Sequence, residues 1–487
     1  MRVLNFFRLF VLLSMPFFCA TCVSNSVSET SDEITGVWQL GSKALIKIDK
    51  NPQNGWVALY YDTRPSSQIW FDLKDIAFED GILTCTFPDF AGNTSTYRGK
   101  LSEDKMEIMH LTKEGARVAQ RVEEPESLSL MNNIEASIQR GAPKKYRYTV
   151  PEDVGDGWEV GHLDDARFDT DKITEMVDRI FEGGYGDIHD IIIVRNNQLI
   201  LEEYFRGEGR IYSGFIEGLF RNKIHHLGSA TKSVLSVIVG IAIQKGFIKN
   251  VDEPVYNFFP EYENLRNDRK DRILVKHLLT MTAGLQWNAA EDVNGMWKTD
   301  DIIKFCLEKP VVSRPGEQFN YSNGWSTLLG AIVSQSSGKS FEEFAREYLF
   351  APLGITDTWF QIYPEGTTDT DGGIYMRPRD LAKIGSLLLQ NGRWNEKRII
   401  NEDWIKESTG RHLKANNTSW YGYQWWSREF QVEEMTIPTY YASGYGGNYM
   451  FVFPDMDLLV VLNAEIFGNQ AGYPRDLFEK YILPAVL

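Results

Sequence analysis

Ser229 and Lys232 stand three residues apart in Ser229-Ala230-Thr231-Lys232, a pairing that could make and break an acyl bond. A serine hydroxyl is a poor nucleophile until a neighbour takes its proton, and a lysine held away from water can serve as that base. Positions three apart on a helix lie one turn apart on the same face, so hydroxyl and ammonium would meet there. The segment heads an apolar run, Ser233 to Ile243, that closes at Gly246. A run that is apolar on every side reads as a helix buried in a large domain. Two other segments fit S-x-x-K: Ser102 to Lys105, in a polar, turn-like stretch, and Ser336 to Lys339, in a loop-like stretch. Neither opens a buried helix.

Two further segments complete a chemistry. Tyr321-Ser322-Asn323 reads as a turn leading into a helix from Ser326 to Ile332. A tyrosine hydroxyl beside a lysine ammonium is driven toward phenolate and can carry the serine proton. The Asn323 amide offers a donor and an acceptor to a substrate. Tyr262-Glu263-Asn264 repeats the pattern in what reads as a charged surface loop. The strip Gly444-Tyr445-Gly446-Gly447-Asn448 has three glycines in four positions, which lets backbone pass close to a ligand. Its N–H groups could join that of Ser229 in an oxyanion hole. The catalytic candidates are therefore Ser229, Lys232 and Tyr321, and the substrate-binding candidates are Asn323, Tyr445, Gly447 and Asn448.

These residues need a scaffold. Ile173, Met176, Val177, Ile180 and Phe181 fall at helical spacing over 171–181. Asp190 to Val194 and Gln198 to Leu201, joined through Asn196-Asn197, read as a β-hairpin. Tyr449 to Phe453 and Leu458 to Asn463 read as late strands joined through Pro454 to Asp457. Helices are expected at Val275 to Thr282, Phe341 to Phe350 and Arg379 to Leu389. The pattern predicts a sheet built from both ends of a domain, flanked by helices, with an all-α insert and a cleft between the two parts.

At 487 residues the chain has room for two or three domains, and 43% hydrophobic with 24% charged residues is ordinary for a globular protein. A formal charge of -16 argues against nucleic acid as a partner. Residues 1–24 read as an export signal: Arg2 and Arg8 precede an apolar core, Leu9 to Phe18, too short to span a bilayer. There is no clean A-x-A site, and Cys19 or Cys22 is an alternative point of lipid anchoring to a membrane. The expected location is the periplasm or cell envelope. Cys85 and Cys306 read as buried thiols, with a disulfide between them as the alternative. The histidines and cysteines form no metal-binding pattern, and no cofactor is expected. His225-His226 reads as a lead-in to the nucleophile, with a place in the site wall as the alternative.

Residues 33–125 carry short alternating runs separated by turns, which predicts seven or eight strands in a small barrel or sandwich. Gly36-Val37-Trp38 and the strand spacing resemble the lipocalin-like appendage that precedes some bacterial secreted hydrolases. This stretch reads as a spacer. Its alternative is a carbohydrate- or wall-binding module using Trp38, Trp56 and Trp70. Residues 126–160 read as a linker with helical pattern at Ser127 to Gln139, and residues 161–487 as the catalytic domain.

From about residue 165 onward the constellation resembles the serine β-lactamase-like and penicillin-binding-protein-like hydrolases. The nearest branch includes class C β-lactamases, esterases and amidases of aminohexanoate oligomers. The resemblance rests on Ser229 to Lys232, Gly284-Leu285, Arg314-Pro315-Gly316, Tyr321 to Asn323, and Gly372-Gly373-Ile374-Tyr375 before Arg379-Asp380-Leu381-Ala382. It implies an α/β (α+β) fold with an antiparallel sheet and an all-α subdomain. It also implies that Ser229 is acylated, that Lys232 and Tyr321 manage its proton, and that the N–H groups of Ser229 and Asn448 hold the oxyanion. Many members carry a basic residue, any residue, then Gly in the third element, and alignment puts Tyr445-Gly446-Gly447 there. Tyrosine offers no cation to a substrate carboxylate. The expected partner is thus a small ester or amide, with a lactam or D,D-peptide substrate as the alternative. A non-catalytic binding or sensor protein of the same fold is the second alternative.

Overall fold

The computed structural model describes the strands of residues 36–122, and residues 146–486 apart from 183, 186–187, 206–220, 222–223, 433 and 467–472. The expected signal and the helical pattern at Ser127 to Gln139 lie outside the described residues. The chain divides into two compact units, residues 1–144 with 206–218, and residues 145–205 with 219–487.

In the first unit β1 (Gly36–Leu40), β2 (Ala44–Asn51), β3 (Gly55–Asp62), β4 (Trp70–Glu79), β5 (Ile82–Pro88), β6 (Thr94–Ser102), β7 (Lys105–His110) and β8 (Ala116–Val122) close into a barrel. Each strand pairs antiparallel with the next, and β1 pairs with β8, so no edge is left open. Trp38 is fully buried, which places its ring in the packing rather than on a sugar-binding face.

The second unit is organised by a nine-stranded sheet. Its long strands are β9 (Ile188–Arg195), β10 (Gln198–Tyr204), β11 (Trp426–Val432), β12 (Met435–Gly444), β13 (Asn448–Phe453) and β14 (Leu458–Ala464). They run in the order β11-β12-β13-β14-β9-β10. Short strands Leu413–Lys414 and Trp420–Tyr421 extend the β11 edge, and Glu159–Val160 pairs parallel with β10 at the other. The sheet is therefore mixed, not purely antiparallel. Asn196 and Asn197 both have positive φ, 50° and 61°, which a tight hairpin turn between β9 and β10 demands.

Both faces of the sheet are covered, which explains the unbroken apolar runs in its central strands. Along β9, Ile192 and Val194 enter one core while Ile191 and Ile193 enter the other. The outer core includes α1 (Thr170–Phe181) and the C-terminal Phe478, Ile482 and Leu483. The inner core holds α2 (Thr231–Gln244), α3 (Asn323–Ser337) and α4 (Pro378–Leu389). Residues 146–160, expected as linker, pack into this unit: Tyr146 and Trp158 are buried, and the Trp158 indole donates to the Arg379 carbonyl at 3.3 Å. A charged cluster fastens the same region, with Arg379 bridging Asp156 at 2.8 Å and Glu202 at 2.6 Å.

Candidate active site

Ser229 lies in a 3-10 turn, Gly228–Ala230, that runs directly into α2. Every residue of α2 from Thr231 to Ala242 is buried. Gly240 lets the Trp404 ring lie against the helix, since a Cβ there would sit 2.3 Å from the indole nitrogen. The helix is thus gripped on all sides, and the turn at its head is held with it. His225 and His226 form a buried two-residue strand leading into the turn. The His225 ring meets His189 at 2.8 Å, and neither histidine lines the cavity in front of Ser229.

The Lys232 ammonium donates to Ser229 Oγ at 3.1 Å and to the Asp371 carbonyl at 2.6 Å. Its side chain is 1% exposed, and the Asp371 carboxylate lies 3.7 Å away. Burial pulls the lysine pKa down, but Tyr321, Asp371 and Asp369 together outweigh it and hold Lys232 above its ordinary value. This direction favours the ammonium form of Lys232. Tyr321 faces it, with the ring centroid 5.1 Å from Nζ. The Tyr321 ring stacks on Trp426 at 5.8 Å, and Trp426 is wedged edge-on by Tyr421 at 4.8 Å.

Asn323 is not in the cavity wall. Its amide donates to the Asp371 carboxylate, which also accepts from Tyr363 and, at 3.3 Å, from Thr327. Asp369 accepts in turn from the Asp371 N–H at 3.1 Å and the Gly372 N–H at 2.9 Å. Burial and the neighbouring Asp371 charge push the Asp369 carboxyl well above the usual carboxylate range. Asp371 and Asp369 went unnoticed in the sequence; the only signal was their position beside Gly372-Gly373.

The third element is displaced by three residues from the expected alignment. The glycine that meets the nucleophile turn is Gly444, at the end of β12: a Cβ there would lie 2.1 Å from the Leu227 carbonyl. From the other side, a Cβ on Gly228, whose φ is +53°, would come within 3.1 Å of the Tyr445 nitrogen. Gly444 rather than Gly447 is thus the glycine of the strip that packs on the nucleophile turn, and the residue two before it, Ala442, is buried. Tyr445 and Gly447 do line the cavity with Ser229. Asn448 does not: it is 1% exposed, its amide donates to the Tyr445 carbonyl at 3.0 Å, and its side-chain oxygen accepts from Ala464 N–H at 3.3 Å. It pins the turn rather than facing a substrate. The sequence reading also missed Trp426, Tyr449 and Ile466 as wall residues, since all three come from strands or strand ends.

The family profile described as Beta-lactamase matches residues 178–480. The chain belongs to this family. The match spans the two sheet-forming ends, the nucleophile helix and the Tyr321 turn. Among curated β-lactamase relatives, the Escherichia coli K12 protein named Beta-lactamase is 32% identical over 29% of this chain and 36% of its own length. The 6-aminohexanoate-dimer hydrolase of Paenarthrobacter ureafaciens is 26% identical over 45% of this chain and 56% of its own. The chain thus spans between a third and somewhat over half of these relatives. A penicillin-binding protein structure from Bacillus halodurans superposes with TM-score 0.50 and 17% identity, covering 64% of this chain and all of that one. At that identity it shows the fold alone, the β-lactamase/transpeptidase-like fold expected from the motifs. These relatives carry the names of hydrolases.

Proposed function

We propose that this protein is an exported serine hydrolase that opens an ester or amide through an acyl-enzyme on Ser229. The observation that carries the proposal is the Lys232 ammonium, 3.1 Å from Ser229 Oγ and held in the core by Asp371. With Lys232 charged, Tyr321 is the group that takes the serine proton. The Ser229 oxygen bonds to the substrate carbonyl carbon, and the backbone N–H groups of Ser229 and Tyr445 receive the oxyanion. Collapse breaks the bond to the leaving oxygen or nitrogen, which takes the proton back from Tyr321. Water then adds to the acyl carbon, frees the acid and restores the serine hydroxyl. The strip from Ala442 to Asn448 has no cationic residue, which favours a neutral acyl group. The positive start and apolar core of residues 1–18 support export.

Hydrolysis of short-chain esters by the wild type and by Ser229→Ala tests the reading. The variant should lose activity by orders of magnitude, and equal rates would sink it. The identity to the Escherichia coli Beta-lactamase favours a second reading, lactam hydrolysis. Incubation with ampicillin followed by intact-mass measurement decides between the two: an adduct or hydrolysed drug supports the lactam reading, and an unchanged mass with intact drug removes it.

A further inference from the structure

The cavity in front of Ser229 has a volume of about 310 Å³, at the small end of ligand sites. None of the described residues lining it is charged. Four of them are aromatic: Tyr321, Trp426, Tyr445 and Tyr449. Trp426 is rigid, since Tyr321 stacks on it and Tyr421 and Phe319 meet it edge-on, Phe319 at 5.9 Å. Tyr449 is fixed from behind by Phe451, nearly parallel at 5.1 Å. Tyr445, also in the wall, is 50% exposed. Ser443 and Ile466 also line the cavity.

We propose that the substrate is an uncharged ester or amide carrying an aromatic ring, received between Trp426, Tyr445 and Tyr449. The proposal rests on the serine-hydrolase reading and names its substrate class. Rings prefer offset or edge-on contact with other rings, and walls locked in advance offer that contact with little ordering cost. A carboxylate entering the same cavity would shed its water and meet no cation among the described wall residues. Leucine-like aliphatic walls would favour chains over rings; among the described residues this wall has one aliphatic side chain and four rings.

The test uses the full chain and esters matched in size, with proton release as the readout. Ethyl phenylacetate is compared with ethyl octanoate, benzyl acetate with heptyl acetate, and monoethyl succinate with ethyl butyrate. At least one ring ester should exceed its ring-free partner about tenfold in kcat/KM, and monoethyl succinate should fall about tenfold below ethyl butyrate. Tyr445→Ala and Trp426→Ala should bring the ring-to-chain ratio down. A wild-type ratio near one, an unpenalised succinate ester, or a ratio that survives both substitutions overturns the proposal. Ser229→Ala is run in parallel: esters hydrolysed equally by it and the wild type overturn the hydrolase reading itself. Calorimetric binding of phenylacetamide and succinamate to Ser229→Ala protein decides the substrate class without turnover. Phenylacetamide binding that weakens in the added Tyr445→Ala supports it, and succinamate bound as tightly, or no phenylacetamide binding, overturns it.

Discussion

Ser229 to Lys232 and Ser336 to Lys339 share one pattern and have opposite surroundings. The first heads a buried helix; the second spans the end of α3, where Gly338 at φ +69° turns the chain out. At the head of a helix backbone N–H groups are free to face a ligand, whereas at its end carbonyls are. Ser336 and Ser337 use their hydroxyls to bond back to Val333 carbonyl oxygen, at 3.3 Å and 2.7 Å. Lys339 has a side chain 36% exposed and reaches Glu347 at 2.8 Å in solvent. Lys232 is 1% exposed and enclosed by Tyr321 and two aspartates. Spacing alone therefore carries no chemistry here; desolvation and the end of the helix do.

Substitutions sharpen the contrast. The largest effect is expected at the serines: Ser229→Ala should lower ester kcat by about 10⁴ to 10⁶, while Ser336→Ala leaves it unchanged, read by initial rates. Next come the lysines. Lys232→Met should cost about 10² to 10⁴ in kcat/KM, and Lys339→Met nothing measurable in rate or thermal midpoint. Asp371→Asn removes a charge that raises the Lys232 pKa. The ammonium is then lost at lower pH, so the alkaline limb of kcat/KM should move to lower pH; Glu347→Gln should not move it. The same sign governs stability. A lysine raised on folding contributes fully below its ordinary pKa, about 10.4, and the contribution is lost as pH rises through the raised value. Asp371→Asn should make that alkaline loss smaller and complete at lower pH in a pH series of thermal melts. The smallest effect is expected at Asn323→Ala, which takes one donor from the buried Asp371 carboxylate and should cost about 1–3 kcal/mol in denaturant unfolding.

The sequence exposed the nucleophile helix because an apolar run with no polar face has only one home. It exposed β9, β10, β13 and β14 for the same reason, as both their faces are covered. It hid β11 and β12, whose outer parts carry Arg428, Glu429 and Thr436 and so form no unbroken apolar run. Asp371 was hidden by distance: it lies 139 residues from the lysine it serves. The glycine strip misled the register. Gly444, Gly446 and Gly447 look alike in one dimension, and only the missing Cβ opposite the Leu227 carbonyl picks out Gly444. Tyr321 was legible, yet Asn323, two residues on, turned away from the cavity to bind Asp371.

The central sheet joins β9 to β14, so Ile192 waits for Val461 across most of the domain. On a ribosome, the nucleophile turn emerges long before Gly444 and Tyr445, the segment that closes over it. Pairings of such long sequence separation form late and slowly. The segment that closes over the nucleophile turn is therefore among the last parts of the domain to dock.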